Sequence, residues 1–185
     1  MKSVIFVSGV YGVGKSTLCN EVAHKCHLES YSAGDLISDV NGEIYGANKK
    51  VKNKISNQNI LIERVDEKLK SHNLVILAGH FCILGKEGNV EILPLKTYEE
   101  LHISSIILLE TNPVVIINHL KKRDGKHYSK MLIEEFLHTE RSCAKKVSDT
   151  LKVPLFIHNM NYSDRDVVEN CSFLKEVYGE DTIRY

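Results

Sequence analysis

Two rhythms of apolar residues alternate along the chain. Residues 4–7 and 74–78 are short runs without polar interruption, and residues 105–109 nearly so. Such runs have the length and composition of strands buried on both faces, as in a parallel sheet. Residues 29–32 and 153–157 are expected to add a short second strand and a last strand. Between the runs the period lengthens. Over 16–27, Leu18 and Val22 stand four apart, with Cys19, Ala23 and Cys26 widening the same face. Over 47–72, Ile60, Leu61, Val65 and Leu69 form the best stripe of a helix expected to break once near Ser56.

Punctuation between these segments is readable too. Asn41-Gly42 marks a turn-rich stretch over 41–46. Residues 81–84 and 90–93 flank Gly85-Lys86-Glu87-Gly88-Asn89, the pattern of a small hairpin. Thr97-Tyr98-Glu99-Glu100 has the spacing of a capping box opening a short helix. Thr111-Asn112-Pro113 predicts another helix start, with Pro113 at the first helical position, running to about Lys122. The helix breaks in the segment 121–125, a long helix covers 129–149, and Ser163 opens a terminal helix to about Tyr178. The order of elements predicts an α/β chain: a parallel sheet with helices on both faces, in three layers. No repeat or linker divides residues 1–185, so a single domain is expected.

The first strand runs into Gly9-Val10-Tyr11-Gly12-Val13-Gly14-Lys15-Ser16-Thr17, which fits the phosphate-binding pattern G-x-x-x-x-G-K-[ST] between a strand and a helix. Each residue type answers a need of a bound triphosphate. Gly9, Gly12 and Gly14 let the backbone curl, so that N–H groups around Val13 and Lys15 point inward at a helix N-terminus. Lys15 can bring a mobile positive charge to the β- and γ-phosphates. The Ser16 hydroxyl, followed by Thr17, is placed to ligate Mg²⁺ beside them. ATP with Mg²⁺ is therefore the expected cofactor pair, and the fold expected is that of a P-loop NTPase.

Composition narrows the setting. Lys and Arg together number 24 and so do Asp and Glu, which removes any overall pull towards nucleic acid or a membrane surface. A cluster at Lys49, Lys50, Lys52 and Lys54 is the one local exception, read either as a solvated helix face or as a phosphate-facing patch. The beginning of the chain lacks a signal-peptide pattern, and no apolar stretch approaches a membrane span. Five scattered cysteines suit reduced thiols, and a cytoplasmic location is expected. Cys19, His24, Cys26 and His27 could suggest a metal cluster. On one helix, however, they point in several directions, and ordinary packing is expected instead.

Four stretches together resemble the P-loop nucleoside-monophosphate kinases: the loop itself, Ser32-Ala33-Gly34-Asp35-Leu36, Ala78-Gly79-His80 at a strand end, and Arg123-Asp124 before a long helix. Within that superfamily the chain is most similar to the archaeal-type adenylate kinases and the nuclear, coilin-interacting adenylate kinase group, which carry a His where His80 stands and have a short lid. The resemblance implies transfer of the ATP γ-phosphate to a nucleoside monophosphate, AMP first. It implies a helical acceptor-binding segment over about 35–72 and a short lid over about 123–130. It also implies catalytic roles for Lys15, His80, Arg123 and Arg141, and adenine seated over Asn159-Met160-Asn161-Tyr162.

The chain departs from the family pattern at three places. Ala78 replaces an Asp that orients a metal-bound water, so Asp35 or Glu110 is expected to assist Ser16 with Mg²⁺. Ser38 stands where an acceptor-binding Arg is usual, and Phe81-Cys82-Ile83 lacks another. Two further readings therefore accompany the monophosphate kinase. One is a P-loop kinase acting on a small hydroxyl compound. The other is a slow ATPase or ATP-binding switch read by a protein partner.

Overall fold

In the computed structural model, residues 2–41, 54–85 and 87–184 are described, without the side chains of 40, 41 and 54–56. Five parallel strands form the central sheet: β1 (Ser3–Ser8), β2 (Glu29–Ser32), β3 (Leu74–Ala78), β6 (Ile103–Glu110) and β7 (Leu155–Asn159), in the spatial order β2-β3-β1-β6-β7. The apolar runs become strands because helices cover both faces. Along β1, Ile5 and Val7 pack with α1 (Lys15–Cys26), α5 (Pro113–Asp124) and α7 (Asp164–Tyr178). Val4 and Phe6 face the other way, towards α2 (Ala33–Asn41), α3 (Lys54–Ser71), α4 (Leu95–Glu100) and much of α6 (Lys130–Leu151). This is the three-layer α/β architecture expected.

β4 (Cys82–Leu84) and β5 (Val90–Ile92) make the separate antiparallel hairpin anticipated around the Gly-rich turn. Two other boundaries are as read: Asn112 caps α5 through its side chain with Pro113 next, and Ser163 opens α7 in a capping box with Asp166.

Some boundaries differ for identifiable reasons. α4 starts at Leu95 after Pro94, so Thr97 is a buried residue inside it rather than its cap. β7 starts two residues later than expected. Lys152 takes a left-handed conformation, and the Val153 N–H bonds back to the Ser148 carbonyl, so both belong to the end of α6. α3 passes through Ser56 without a break. Of the turn expected over 41–46, Asn41 instead ends α2. Residues 42–46, the helical residues 47–53 with Lys49, Lys50 and Lys52, and the Lys54 side chain lie outside the described residues.

The sheet's register places every carboxyl end on one edge. Val7 pairs with Ala78, Ala78 with Ser32, Ser8 with Leu108 and Glu110 with Asn159. The connection leaving β1 crosses to β2 on one side, whereas β6 and β7 lie on the other. Open α/β sheets bind ligands in the crevice at such a reversal. No described helix is long and apolar enough to cross a membrane.

Candidate functional site

The loop between β1 and α1 occupies that crevice. Gly14 has φ of 102° and caps α1 in the left-handed region, a conformation only glycine adopts cheaply. At the loop's start, a Cβ on Gly9 would lie 2.7 Å from the Leu109 carbonyl oxygen, so a side chain there would drive the loop off β6. The Lys15 ammonium folds over the loop, donating to the carbonyls of Gly9 at 2.6 Å and Val10 at 3.0 Å. His119 of α5 ties down the opposite side, its Nδ1 lying 2.9 Å from the Gly12 carbonyl oxygen.

Two cavities meet at this loop. The first, of about 350 Å³, is walled by Tyr11, Gly12, Gly14, Lys15, Ser16 and Thr17 on one side. Ile37 of α2, Asn57, Gln58 and Leu61 of α3, and Ile83, Leu93 and Tyr98 around the hairpin form the other. Phe6, Ala78 and Gly79 lie between, and His80 and Arg123 complete the lining. The second, of about 600 Å³, lies on the far side of the loop among Gly14, Thr17, Glu21, His119, Lys122, Arg123, Met160 and Tyr162. Gly14, Thr17 and Arg123 line both.

The predicted site residues divide accordingly. Gly12, Gly14, Lys15, Ser16, Thr17, His80 and Arg123 come together around the first cavity. His80 packs edge-on against Tyr11, ring centres 4.6 Å apart, and its carbonyl accepts from the Tyr98 hydroxyl. Arg123 grips the nearly buried Asp124 carboxylate with two hydrogen bonds of 2.5 and 2.6 Å, leaving about half its side chain exposed. Gly9 and Val13 lie behind the lining. Gly9 uses its N–H on Glu140, and Val13 is fully buried in the core. Met160 and Tyr162, from the stretch expected to carry adenine, do face the second cavity.

Three residues expected at the site lie outside this lining. Arg141 is not in the cavity lining: its guanidinium makes a bidentate pair with Glu110 at the end of β6, which raises its pKa. The same pair engages both oxygens of the Glu110 carboxylate. Asp35 is an exposed residue in the first turn of α2, outside the lining formed by Ser32, Ala33 and Gly34. Its metal role therefore has no support from the arrangement. Among the described residues no group of three His, Cys, Asp or Glu side chains could hold a metal, and Cys19, Cys26 and Cys171 are buried packing residues. Cys26 and Cys171 place their sulfurs 3.0 Å apart between α1 and α7.

Two buried carboxylates at the site were not anticipated. Glu140 of α6 accepts from the N–H groups of Gly9, Phe81 and Cys82, at 3.1, 3.0 and 2.9 Å. Asp166 accepts from the N–H groups of Asn161 and Ser163 and pairs with the buried His158 ring. It thereby pins the loop that carries Met160 and Tyr162. Burial pulls its carboxyl upward, but these donors outweigh it and hold the pKa below the usual carboxylate range. Glu140 had a sequence signal: Phe136, Glu140, Ala144 and Val147 recur at helical spacing, which puts a charge on the apolar stripe of α6.

A family model for the AAA domain matches residues 8–136, more than half of the chain. The chain belongs to the AAA domain family. No curated protein sequence matches this AAA domain. Among solved structures, it superposes on a sugar kinase from a Janibacter species with TM-score 0.63 and 16% identity, covering 100% of both chains. A shikimate kinase from Acinetobacter baumannii, in complex with shikimate, gives 0.65 at 13% identity, covering 95% of this chain and 94% of that one. A gluconokinase from Sinorhizobium meliloti gives 0.56 at 16% identity, with the same coverage. At these identities the likeness establishes the fold, which is P-loop kinase-like.

Proposed function

We propose that this AAA domain is an ATP-dependent phosphotransferase that moves the γ-phosphate of ATP to a small acceptor. The carrying observation is that two separate cavities share Gly14, Thr17 and Arg123. One can take the nucleoside and the other the acceptor, and the shared loop then lies where phosphate passes between them. In-line transfer demands mainly positioning and positive charge, which Lys15 and Arg123 supply. The Ser16 hydroxyl, exposed in the first turn of α1, suits one ligand position of Mg²⁺, whose charge would offset that of the phosphates.

The lining favours a hydroxyl-bearing acceptor of low charge. On the acceptor side it is apolar and aromatic at Phe6, Ile37, Leu61, Ile83, Leu93 and Tyr98, with amides from Asn57 and Gln58. The cations among its described residues are Lys15 and Arg123, both on the phosphate side. His80 is the residue there able to accept a hydroxyl proton. A nucleoside monophosphate, AMP first, is the second reading. It rests on the resemblance and on Lys49, Lys50 and Lys52 in the sequence.

The test is an ATP-consumption screen with purified protein and Mg²⁺ against sugars, polyols, nucleosides and nucleoside monophosphates. Saturable stimulation by a hydroxyl compound supports the first reading, and stimulation confined to monophosphates supports the second. Slow hydrolysis indifferent to every acceptor would sink both and leave an ATP-driven switch.

A further inference from the structure

Glu140 is fully buried in the middle of α6, and no described ion pair accounts for it. Its partners come instead from two segments far apart in sequence, the phosphate loop and the entry to β4. Oε1 accepts from Gly9 N–H at 3.1 Å, at the base of the phosphate loop. Oε2 accepts from Cys82 N–H at 2.9 Å, and both oxygens lie 3.0 Å from Phe81 N. The Cys82 thiol adds a fourth donor at 3.1 Å. Phe81 and Cys82 directly follow His80, on the acceptor wall.

Burial raises this carboxyl's pKa above the usual carboxylate range, and the surrounding N–H groups, the Cys82 thiol and the nearby Lys15 ammonium offset that pull only in part. Three backbone donors converging on two oxygens suit an acceptor-only carboxylate. An amide in the same place would turn N–H against N–H. A group that satisfies donors on two segments at once also fixes their separation, because neither can move without stranding a buried donor.

We propose that Glu140 is a positioning residue that couples the phosphate loop to the acceptor wall, holding Gly9 and the His80–Cys82 turn in one arrangement. Its catalytic consequence rests on the phosphotransferase reading, but the coupling itself does not. Nucleotide phosphates drawn to the loop disturb the Gly9 backbone and Lys15, and Glu140 passes that disturbance to Phe81 and Cys82, which follow the end of the neighbouring β3.

The experiment follows backbone amide resonances in ¹⁵N-labelled protein during titration with Mg²⁺ and a non-hydrolysable ATP analogue. In the wild type, Phe81 and Cys82 should shift together with Gly12 to Ser16. In Glu140→Gln the loop amides should still shift, while the response at Phe81 and Cys82 drops to a small fraction. With an acceptor identified, kcat should fall roughly tenfold or more while the affinity for nucleotide changes by less than about threefold. Glu140→Asp keeps the charge but is one methylene shorter and cannot reach both segments. It should also weaken the response at Phe81 and Cys82, and it serves as the test if the Gln variant does not fold. Persistence of the wild-type response in whichever variant folds, or no response at Phe81 and Cys82 in the wild type, overturns the coupling. Loss of the response in a protein that phosphorylates no acceptor leaves the coupling standing and removes the kinase reading. Normal turnover in a Gln variant that has lost the response leaves the coupling and the kinase reading standing and removes the positioning role in catalysis.

Discussion

The Lys15 ammonium lies 2.6 Å from the Gly9 carbonyl oxygen, so the loop's only lysine is held by the loop's own backbone. With the Val10 carbonyl at 3.0 Å as a second acceptor, it is kept over the turn rather than extended along α1. Phosphate oxygens entering the loop offer this cation full negative charge in place of carbonyl dipoles. Such charge-assisted bonds are roughly twice as strong as neutral ones.

Lys15→Met should therefore leave the chain folded, because two hydrogen bonds to carbonyls at a part-buried site are a small part of its stability. It should weaken ATP binding by about 10- to 100-fold, corresponding to about 1.5–3 kcal/mol for a hydrogen bond to a charged group. Calorimetric titration reads this directly, and an unchanged affinity would remove Lys15 from the nucleotide site.

The two arginines should part company. Arg123 lines both cavities, and its planar fork can stabilise charge that develops as phosphate transfers. Arg123→Ala should lower kcat by about 10- to 100-fold with a smaller effect on ATP affinity. Arg141 is half exposed but neutralises Glu110, whose side chain is only 10% exposed. Arg141→Ala should lower stability by roughly 1–2 kcal/mol and leave kcat of the folded enzyme close to normal. Thermal melts beside rate measurements separate the two. A collapse of kcat without loss of stability in Arg141→Ala would return that residue to the active site.

The contrast shows where the sequence was legible. The phosphate loop is local: one contiguous stretch carries the turn, the cation and the hydroxyl, and strand and helix patterns flank it. The same holds for the Asn112-Pro113 and Ser163 helix starts, whose partners lie within three residues. Arg141, Glu110 and Glu140 could not be placed in this way, since their partners come from distant segments. Glu140 faces a backbone donor 131 positions away, and Arg141 a carboxylate 31 away. A resemblance aligned the arginine to a role without knowing that a carboxylate waited at the end of β6. The position of α4 was hidden for a smaller reason: Thr97-Tyr98-Glu99-Glu100 has capping-box spacing, but the helix has already begun at Leu95, with Pro94 as its N-cap.

Asp166 links acidity to the second cavity. Its folded pKa is depressed, so it contributes stability that is fully present above the unfolded value of about 4 and is lost as pH falls through the folded value. Asp166→Asn should cost about 1–2 kcal/mol at neutral pH through the damaged capping box and the bond to His158. That cost should shrink as the wild type is itself protonated below about pH 4. Melting curves of both proteins between pH 7 and 3 should therefore converge in acid. Parallel curves would mean that the carboxylate's charge does not hold the loop. Because Met160 and Tyr162 sit on this loop, ATP affinity should weaken in the variant as well.

The end of β3 offers the sharpest test of the chemistry. Ala78 is nearly buried there, in register with Val7 and Ser32, and it contributes a methyl group to the cavity wall. His80, two residues on, presents its ring beside Tyr11 on the same wall. With Glu110 engaged by Arg141 and Asp35 outside the lining, Ser16 is the described oxygen ligand best placed for Mg²⁺. Metal affinity in the nucleotide complex should accordingly be modest. Ala78→Asp adds a carboxylate facing the cavity, which can orient a metal-bound water and should tighten Mg²⁺ by about tenfold. The same buried charge should lower stability when metal is withheld, so melting with and without Mg²⁺ should diverge in this variant more than in the wild type. His80→Ala should leave ATP affinity nearly unchanged while lowering kcat by about 100-fold, the usual scale for a positioned proton acceptor. A hydroxyl acceptor needs that proton removed and an ionised phosphate does not, so the loss should be large only with the former. If neither Mg²⁺ titration nor turnover responds to either substitution, the β3 end stands outside the working site and the acceptor must bind elsewhere along the cavity.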